Sequence, residues 1–132
     1  MSSFRDLIVY QKAFRLAMDV FVCSKSFPKE ELYALTNQVR RSSRGIISNI
    51  AEAWAKKIYI KSFVHKISDA LAEEYETEVW LDYALHCKYI DESQHKDFLK
   101  NYDKPSTKVL QQKLITHYFF PRYFLQSSTQ RS

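Results

Sequence analysis

The sequence predicts an all-α protein, an antiparallel up-down-up-down four-helix bundle formed by residues 1–120. Glycine is rare: a chain of 132 residues has one, Gly45, which is too little for the tight turns of an all-β fold or for glycine-rich phosphate loops. Apolar residues instead recur at three- and four-residue steps over long stretches, which is typical of amphipathic helices. Because the breaks between these stretches are short, consecutive helices are expected to be antiparallel neighbours.

The first helix is expected over residues 4–25. Ser3 lies just before it and Asp6 follows three residues later, which makes an approximate capping pair. The apolar positions of this stretch alternate three- and four-residue steps, as in the seam of a helix bundle. These positions are Leu7, Tyr10, Phe14, Ala17, Phe21 and Ser24.

The second helix is expected over residues 28–56. Pro28 suits its first position, and Glu30 and Glu31 suit the positive end of the helix dipole. Gly45 lies inside it at a cost of about 1 kcal/mol relative to alanine, and either a close helix crossing or chance would explain it. The expected buried row is Leu32, Leu35, Val39, Ser42, Ser43, Ile46, Ile50 and Ala53.

The third and fourth helices are expected over residues 61–88 and 92–118. Pro105 lacks a backbone donor, so the fourth helix should break near residues 103–105. Residues 121–132 form the predicted C-terminal tail.

The third helix is apolar on more than one side. Its inner face is predicted to carry Phe63, Ile67 and Leu71. Further apolar residues lie on other sides of the helix, and a helix that is apolar on several sides is buried on several sides. We therefore predict a homo-oligomer interface there, with ordinary surface aromatics as the alternative. The candidate interface residues are Tyr75, Val79, Trp80 and Tyr83.

Positive charge is concentrated at the two ends of the chain. The net charge is +5, with ten Lys/Arg against five Asp/Glu in residues 1–57 and three against six in residues 58–90. On the second helix, Arg40, Arg41 and Arg44 share one face that points away from the expected core row. These arginines, together with Lys56 and Lys57, are the candidate phosphate contacts for RNA or DNA.

The same arginines have a structural interpretation. Equal steps from the turn near residue 58 place them level with residues 72–76, which include Glu73, Glu74 and Glu76. They are then expected to form salt bridges with the acidic helix, in the same subunit or in a neighbouring one. Both interpretations stay open at this point.

The sequence offers no candidate for catalysis. It has no nucleophile elbow and no Walker loop, and Glu92-x-x-His95 is only half of a di-iron helix motif. Cys23 and Cys87 are expected to be reduced, packed thiols. We therefore expect no enzyme activity, no cofactor and no metal site. The chain lacks a run approaching the ~18 apolar residues of a membrane span, and its N-terminus lacks a signal-peptide core, so a cytoplasmic protein is expected.

Six short pieces in residues 4–90 form a further pattern. They are Phe4-x-Asp6-Leu7 with Tyr10-Gln11-Lys12-Ala13, Phe27-Pro28, Gln38-Val39-Arg40-Arg41, Ser48-Asn49-Ile50-Ala51-Glu52, Glu74-x-Glu76-Thr77 and Tyr89-Ile90. In these pieces, over about two thirds of its length, the chain resembles the four-helix bundle proteins encoded in intervening sequences of bacterial 23S rRNA genes, also called S23 ribosomal proteins.

The resemblance implies an antiparallel bundle that assembles into a ring-shaped homopentamer, with no enzymatic activity attached to the family. The related accessory variability determinant proteins of diversity-generating retroelements share this architecture and carry a basic surface thought to bind nucleic acid. The polar residues that match lie on helix flanks and indicate an interhelical or intersubunit network. They are Gln38, Arg41, Asn49, Glu52 and Glu74.

The sequence therefore predicts a non-enzymatic, homo-oligomeric bundle that binds RNA or DNA through a basic surface with little sequence specificity. The alternative is an oligomeric scaffold that binds an unidentified protein and whose arginines form structural salt bridges.

Overall fold

The computed structural model describes residues 3–103, and all regular secondary structure in that range is helical. The four α-helices are α1 (Ile8–Ser24), α2 (Asn37–Ala55), α3 (Ile60–His86) and α4 (Glu92–Asp103). No strand occurs in the described range. The prediction of an all-α fold with four helices is confirmed.

The first helix begins later than expected. Ser3 and Asp6 do form a capping box, but they cap a 3₁₀ turn at Phe4–Asp6. Leu7 then adopts an extended conformation (φ −68°, ψ 128°), so α1 begins at Ile8. The buried residues of α1 are Ala13, Leu16, Ala17, Val20 and Ser24.

The expected seam of the first helix is confirmed at Ala17 and Ser24, which are buried, and is wrong at Phe14 and Phe21. Phe14 is exposed and Phe21 is only half-buried, whereas the small side chains of Ala13 and Ala17 face the core. The rings of Phe14 and Phe21 therefore lie outside the fully buried face of α1.

An irregular segment precedes α2. Pro28 leads into a 3₁₀ turn at Lys29–Glu31, and a π-helical turn follows at Leu32–Thr36. Inside this turn Ala34 leaves the helical region (φ −121°, ψ −107°), while the Glu31 carboxylate accepts a hydrogen bond from the Leu35 backbone N–H at 3.2 Å. The regular helix consequently begins at Asn37, not at residue 28.

The break in the helix also changes the expected core row of α2. Leu32 is 46% exposed, because the turn that carries it does not continue the buried face of the helix. The remaining seven residues of that row are buried as expected: Leu35, Val39, Ser42, Ser43, Ile46, Ile50 and Ala53.

Helices α2 and α3 form the most extensive helix pair in the described part. Near the start of α2, the hydroxyl oxygens of Ser42 and Thr77 lie 2.8 Å apart in the buried interface. Near the end of α2, Lys66 Nζ lies 2.7 Å from Glu52 Oε2. A later residue of α2 thus meets an earlier residue of α3, so these two helices run antiparallel.

Close packing of α2 on α3 accounts for the glycine in α2. A Cβ atom on Gly45 would lie 2.8 Å from Glu73 Cδ and 3.0 Å from its Oε2. The close approach, and not chance, therefore explains why a residue without a side chain stands at this position.

The core includes residues from all four helices. Helix α4 packs on α1 and α3, and its N-terminal part is joined to α3 by a 2.7 Å contact between His95 Nε2 and Asp82 Oδ1. The main buried apolar residues are Val20, Val39, Ile46, Ile50, Ile67, Leu81, Ala84 and Tyr102. The predicted continuation of the fourth helix to residue 118, the break at Pro105 and the tail at 121–132 lie outside the described residues. The up-down-up-down order of the complete bundle stays a prediction.

Candidate nucleic-acid interface

An open groove of about 980 Å³ lies over the outer face of α2, and we call it the basic groove. Helix α2 supplies its floor, α1 contributes a residue on one side and α3 a residue on the other. The irregular turn before α2 closes one end. The lining residues are Phe21, Leu32, Tyr33, Asn37, Arg40, Arg41, Arg44, Gly45, Ser48 and Glu73.

Arg40 is held in position by α1. Its Nε donates a hydrogen bond of 2.7 Å to Ser24 Oγ, and its guanidinium carbon lies 4.8 Å from the centre of the Phe21 ring. The guanidinium of Arg44 lies 5.6 Å from the same ring. A cation over an aromatic face is attracted to it, so Phe21 organises two arginines of the groove.

The expected salt bridges between these arginines and the acidic helix do not form within the described part of one chain. The ion pairs there involve His65, Lys66 and His95, and none involves Arg40, Arg41 or Arg44. The alignment predicted from the sequence is right, because Glu73 does lie beside α2. Arg40, however, turns toward Ser24 and Phe21 on α1 instead of toward α3.

Glu73 is the acidic member of the groove lining. Its pKa is raised above the ordinary value, first by burial and then by the charge and hydrogen bond of Glu76, with a smaller contribution from Asp69. The charge of Arg41 acts in the opposite direction and lowers the same pKa. The surroundings of Glu73 therefore disfavour the ionised form of its carboxyl group.

Lys56 and Lys57 lie away from the basic groove. Twelve residues separate Lys56 from Arg44, which is about 18 Å along a helix. Lys56 lines a smaller hollow of about 300 Å³ together with Lys61, Ser62, His65 and Lys66, and the Lys57 ammonium lies 3.7 Å from the centre of the Trp54 ring. The five predicted basic residues thus occupy two separate patches.

The predicted polar network has four members along α2 and one, Glu74, on α3. Its members are Gln38, Arg41, Asn49, Glu52 and Glu74. Asn49 donates a hydrogen bond of 2.9 Å to the carbonyl of Gly45 within its own helix, whereas Glu52 forms the interhelical ion pair with Lys66. Glu74 is buried, with 1% of its surface exposed.

Of the four apolar residues predicted as an oligomer interface, three form an exposed row on α3, and the fourth, Trp80, is partly buried beside it. Tyr75, Val79 and Tyr83 are each about half exposed and follow one another at four-residue steps. Trp80 stacks on Tyr83 with 5.8 Å between ring centres, and its Nε1 donates to Glu76 Oε1 at 3.3 Å. We call these four apolar residues the α3 stripe.

A second exposed apolar row, on α1, was not predicted from the sequence. It consists of Phe14, Met18 and Val22, again at four-residue steps. Phe14 and Met18 also line an apolar groove of about 450 Å³ that adjoins the basic groove. The four-residue spacing is present in the sequence. Because the predicted buried seam includes Phe14, however, the sequence did not predict that these residues form an exposed row.

Three further features of the described part concern metal ligands, thiols and the length of its helices. No group of three or more His, Cys, Asp or Glu residues between 3 and 103 is arranged to hold a metal ion. Both cysteines are free. Cys23 is half-buried, and burial raises the pKa of its thiol, whereas Cys87 is exposed, so the expectation of a packed thiol is wrong for Cys87. Among the described helices, none has the length and apolar character needed to cross a membrane.

The fold and the groove define a small helical-bundle protein whose most distinctive surface is basic and open. The chain belongs to the 23S rRNA-intervening sequence protein family, whose pattern matches residues 5–111. It is also similar to the crystal structure of a protein of unknown function from the S23 ribosomal protein family of Bacteroides thetaiotaomicron. The TM-score is 0.66 at 25% identity, over 83% of this chain and 93% of that one. No functionally curated protein matches the chain.

Proposed function

We propose that this chain is a non-enzymatic, cytoplasmic homo-oligomer that binds RNA or DNA through the phosphate backbone with little sequence preference. The observation that carries the proposal is the position of Arg40, Arg41 and Arg44 and their lack of ion pairs within the described part of the chain. They lie together in an open groove, and no carboxylate among the described residues forms an ion pair with any of them.

The chemistry of the groove suits phosphate. A guanidinium presents several N–H donors in a plane and binds phosphate oxygens in a bidentate manner. Arg40 is already positioned by Ser24 and Phe21, so it loses little freedom when a ligand binds. None of the three arginines has to give up an ion pair within the described chain, which lowers the cost of binding further.

Oligomerisation would strengthen this surface. Five copies of a chain with net charge +5 would carry about +25, and such a field attracts polyanions at long range. The pentamer comes from the family resemblance, and the exposed α3 stripe supports an interface between copies of the chain.

The test is a binding titration with the double variant Arg41→Ala/Arg44→Ala. Both residues are exposed, so the variant should fold and assemble like the wild type. We expect weaker binding to labelled RNA and DNA. The slope of the salt dependence should fall by about 1 for each phosphate that the variant no longer binds.

The matched control is Lys96→Ala/Lys100→Ala, which removes the same charge from exposed positions on α4. It should lower affinity less than the arginine pair does. If the arginine variant assembles normally and binds as tightly as the wild type, the basic groove is not the binding surface.

A second candidate function is an oligomeric scaffold for another protein. The exposed apolar α3 stripe favours it, because such a row on a small domain is typical of a protein interface. In that case the arginines would pair with carboxylates of a neighbouring subunit. The intact oligomer would then show no salt-dependent nucleic-acid binding, and Arg41→Ala or Glu74→Ala would weaken assembly.

A further inference from the structure

One aromatic side chain stands in water at the end of the basic groove. Tyr33 is 90% exposed, more than any other large apolar residue in the described range. It belongs to the irregular turn Leu32–Thr36, and Leu32 beside it is also exposed. The fold does not use the Tyr33 ring for packing, so both of its faces are open to a ligand.

The other aromatic ring of the groove is already engaged. The guanidinium carbon of Arg40 lies 4.8 Å from the centre of the Phe21 ring, and the ammonium of Lys25 lies at the same distance. The Phe21 ring therefore contacts positively charged side chains, whereas the Tyr33 ring is available to a ligand. The groove combines positioned positive charge along α2 with one free aromatic platform at its end.

This combination is the one that single-stranded nucleic acids require. Proteins that bind single strands pair a positive groove for the backbone with aromatic side chains on which bases stack. In a duplex the bases are stacked on one another, and a base must leave the stack before a side chain can cover its face. A duplex can therefore use the arginines but gains nothing from Tyr33.

We propose that the basic groove prefers single-stranded RNA or DNA, with a base stacked on Tyr33 and neighbouring phosphates bound by Arg41 and Arg44. This inference rests on the proposed function and adds the form of nucleic acid that the groove selects. It also assigns Tyr33, which the sequence pattern did not single out, a direct role in binding.

The experiment compares wild type, Tyr33→Ala and Tyr33→Phe. Each protein is titrated, at about 50 mM salt, against a labelled single strand of about 20 nucleotides and against the duplex of the same sequence. We expect the wild type to prefer the single strand. Tyr33→Ala should weaken single-strand binding about tenfold and leave duplex binding unchanged. Tyr33→Phe keeps the ring and should bind like the wild type.

The possible outcomes distinguish a failure of this inference from a failure of the proposed function. If single strand and duplex bind equally with strong salt dependence, and Tyr33→Ala affects neither, the groove binds phosphate but does not select single strands. Equal weakening of both forms by Tyr33→Ala would also overturn the stacking role. If the intact oligomer binds neither form, the proposed function itself fails. Because Tyr33 is almost fully exposed, its substitution leaves the packed core intact.

Discussion

Single residues on opposite sides of α2 determine the electrostatics of the basic groove. On the α1 side, Phe21 and Ser24 hold Arg40 in place. On the α3 side, Glu73 stands against Gly45 with a carboxylate whose pKa burial and Glu76 raise. The groove thus combines three arginines with one acidic residue, Glu73, whose ionised form its surroundings disfavour.

Glu73→Gln should stabilise the protein at neutral pH. A carboxylate with a raised folded-state pKa binds its proton more tightly in the folded state. Its contribution to stability is therefore present below the ordinary value of 4.5 and is lost as pH rises through the folded-state pKa. Thermal unfolding at pH 7 should show a higher Tm for Glu73→Gln, and the gain should shrink below pH 4.5.

The control for this prediction is Asp97→Asn, which removes one negative charge from an exposed position on α4. A rise in Tm of the same size in the control would trace the effect to net charge. A lower Tm for Glu73→Gln at pH 7 would show that the ionised carboxylate stabilises the fold, contrary to the pKa direction.

The spacing of residues along the sequence predicts some residues of the groove but not others. Helical geometry placed Arg40, Arg41 and Arg44 on one exposed face, and the structure does bring them together. The contacts that hold Arg40 depend on how α1 packs against α2, and local sequence patterns do not predict this packing. Tyr33 lies in an irregular turn, and helical periodicity does not predict which side chains are exposed in such a turn.

At the scale of elements, the sequence predicted the number and type of the helices better than their ends. Periodicity of 3.6 residues identifies long helices reliably. The turn at Leu32–Thr36 contains neither glycine nor proline, so nothing in the sequence marked the break before α2. In the predicted seam of α1, Ala17 and Ser24 are buried as expected. The aromatic residues Phe14 and Phe21 are not, because Ala13, Leu16 and Val20 take the other buried positions.

The packing of α1 on α2 should influence binding of RNA or DNA. Phe21→Leu keeps an apolar side chain of similar size but removes the ring that attracts Arg40 and Arg44. Because an exposed cation–π contact contributes about 0.5–1 kcal/mol, we expect affinity for RNA or DNA to fall about two- to fivefold. Fluorescence anisotropy measures the affinity, and urea unfolding checks that stability is little changed.

An affinity of Phe21→Leu equal to that of the wild type would contradict a role of this ring in positioning the arginines. Val22→Leu is a suitable companion variant, because it changes an exposed apolar residue one position further along α1. It should leave the affinity unchanged.

At the scale of the whole molecule, exposed apolar surface is the feature that supports the proposed assembly. The α3 stripe and the α1 row both leave large apolar side chains in water. Contiguous apolar patches on a small domain usually mark an interaction site. The sequence predicted the α3 stripe because that helix has more apolar residues than one buried face can hold.

Val79→Glu should dissociate the proposed oligomer. Val79 lies in the middle of the α3 stripe and is 48% exposed, so a glutamate there is tolerated in the monomer but buries a charge in the interface. Light scattering coupled to size-exclusion chromatography should show a fall in mass, while circular dichroism shows unchanged helix content. Met18→Glu, at 47% exposure on α1, is the matched substitution. Dissociation by Met18→Glu and not by Val79→Glu would place the interface on α1.

The most direct measurement is a salt titration of the wild-type protein binding to a labelled single-stranded RNA, with the molar mass determined in the same buffers. If phosphate contacts drive binding, affinity should fall about tenfold or more between about 50 and 200 mM salt while the oligomer stays intact. An intact oligomer that does not bind at about 50 mM salt, or that binds with no salt dependence, would contradict nucleic-acid binding through the basic groove.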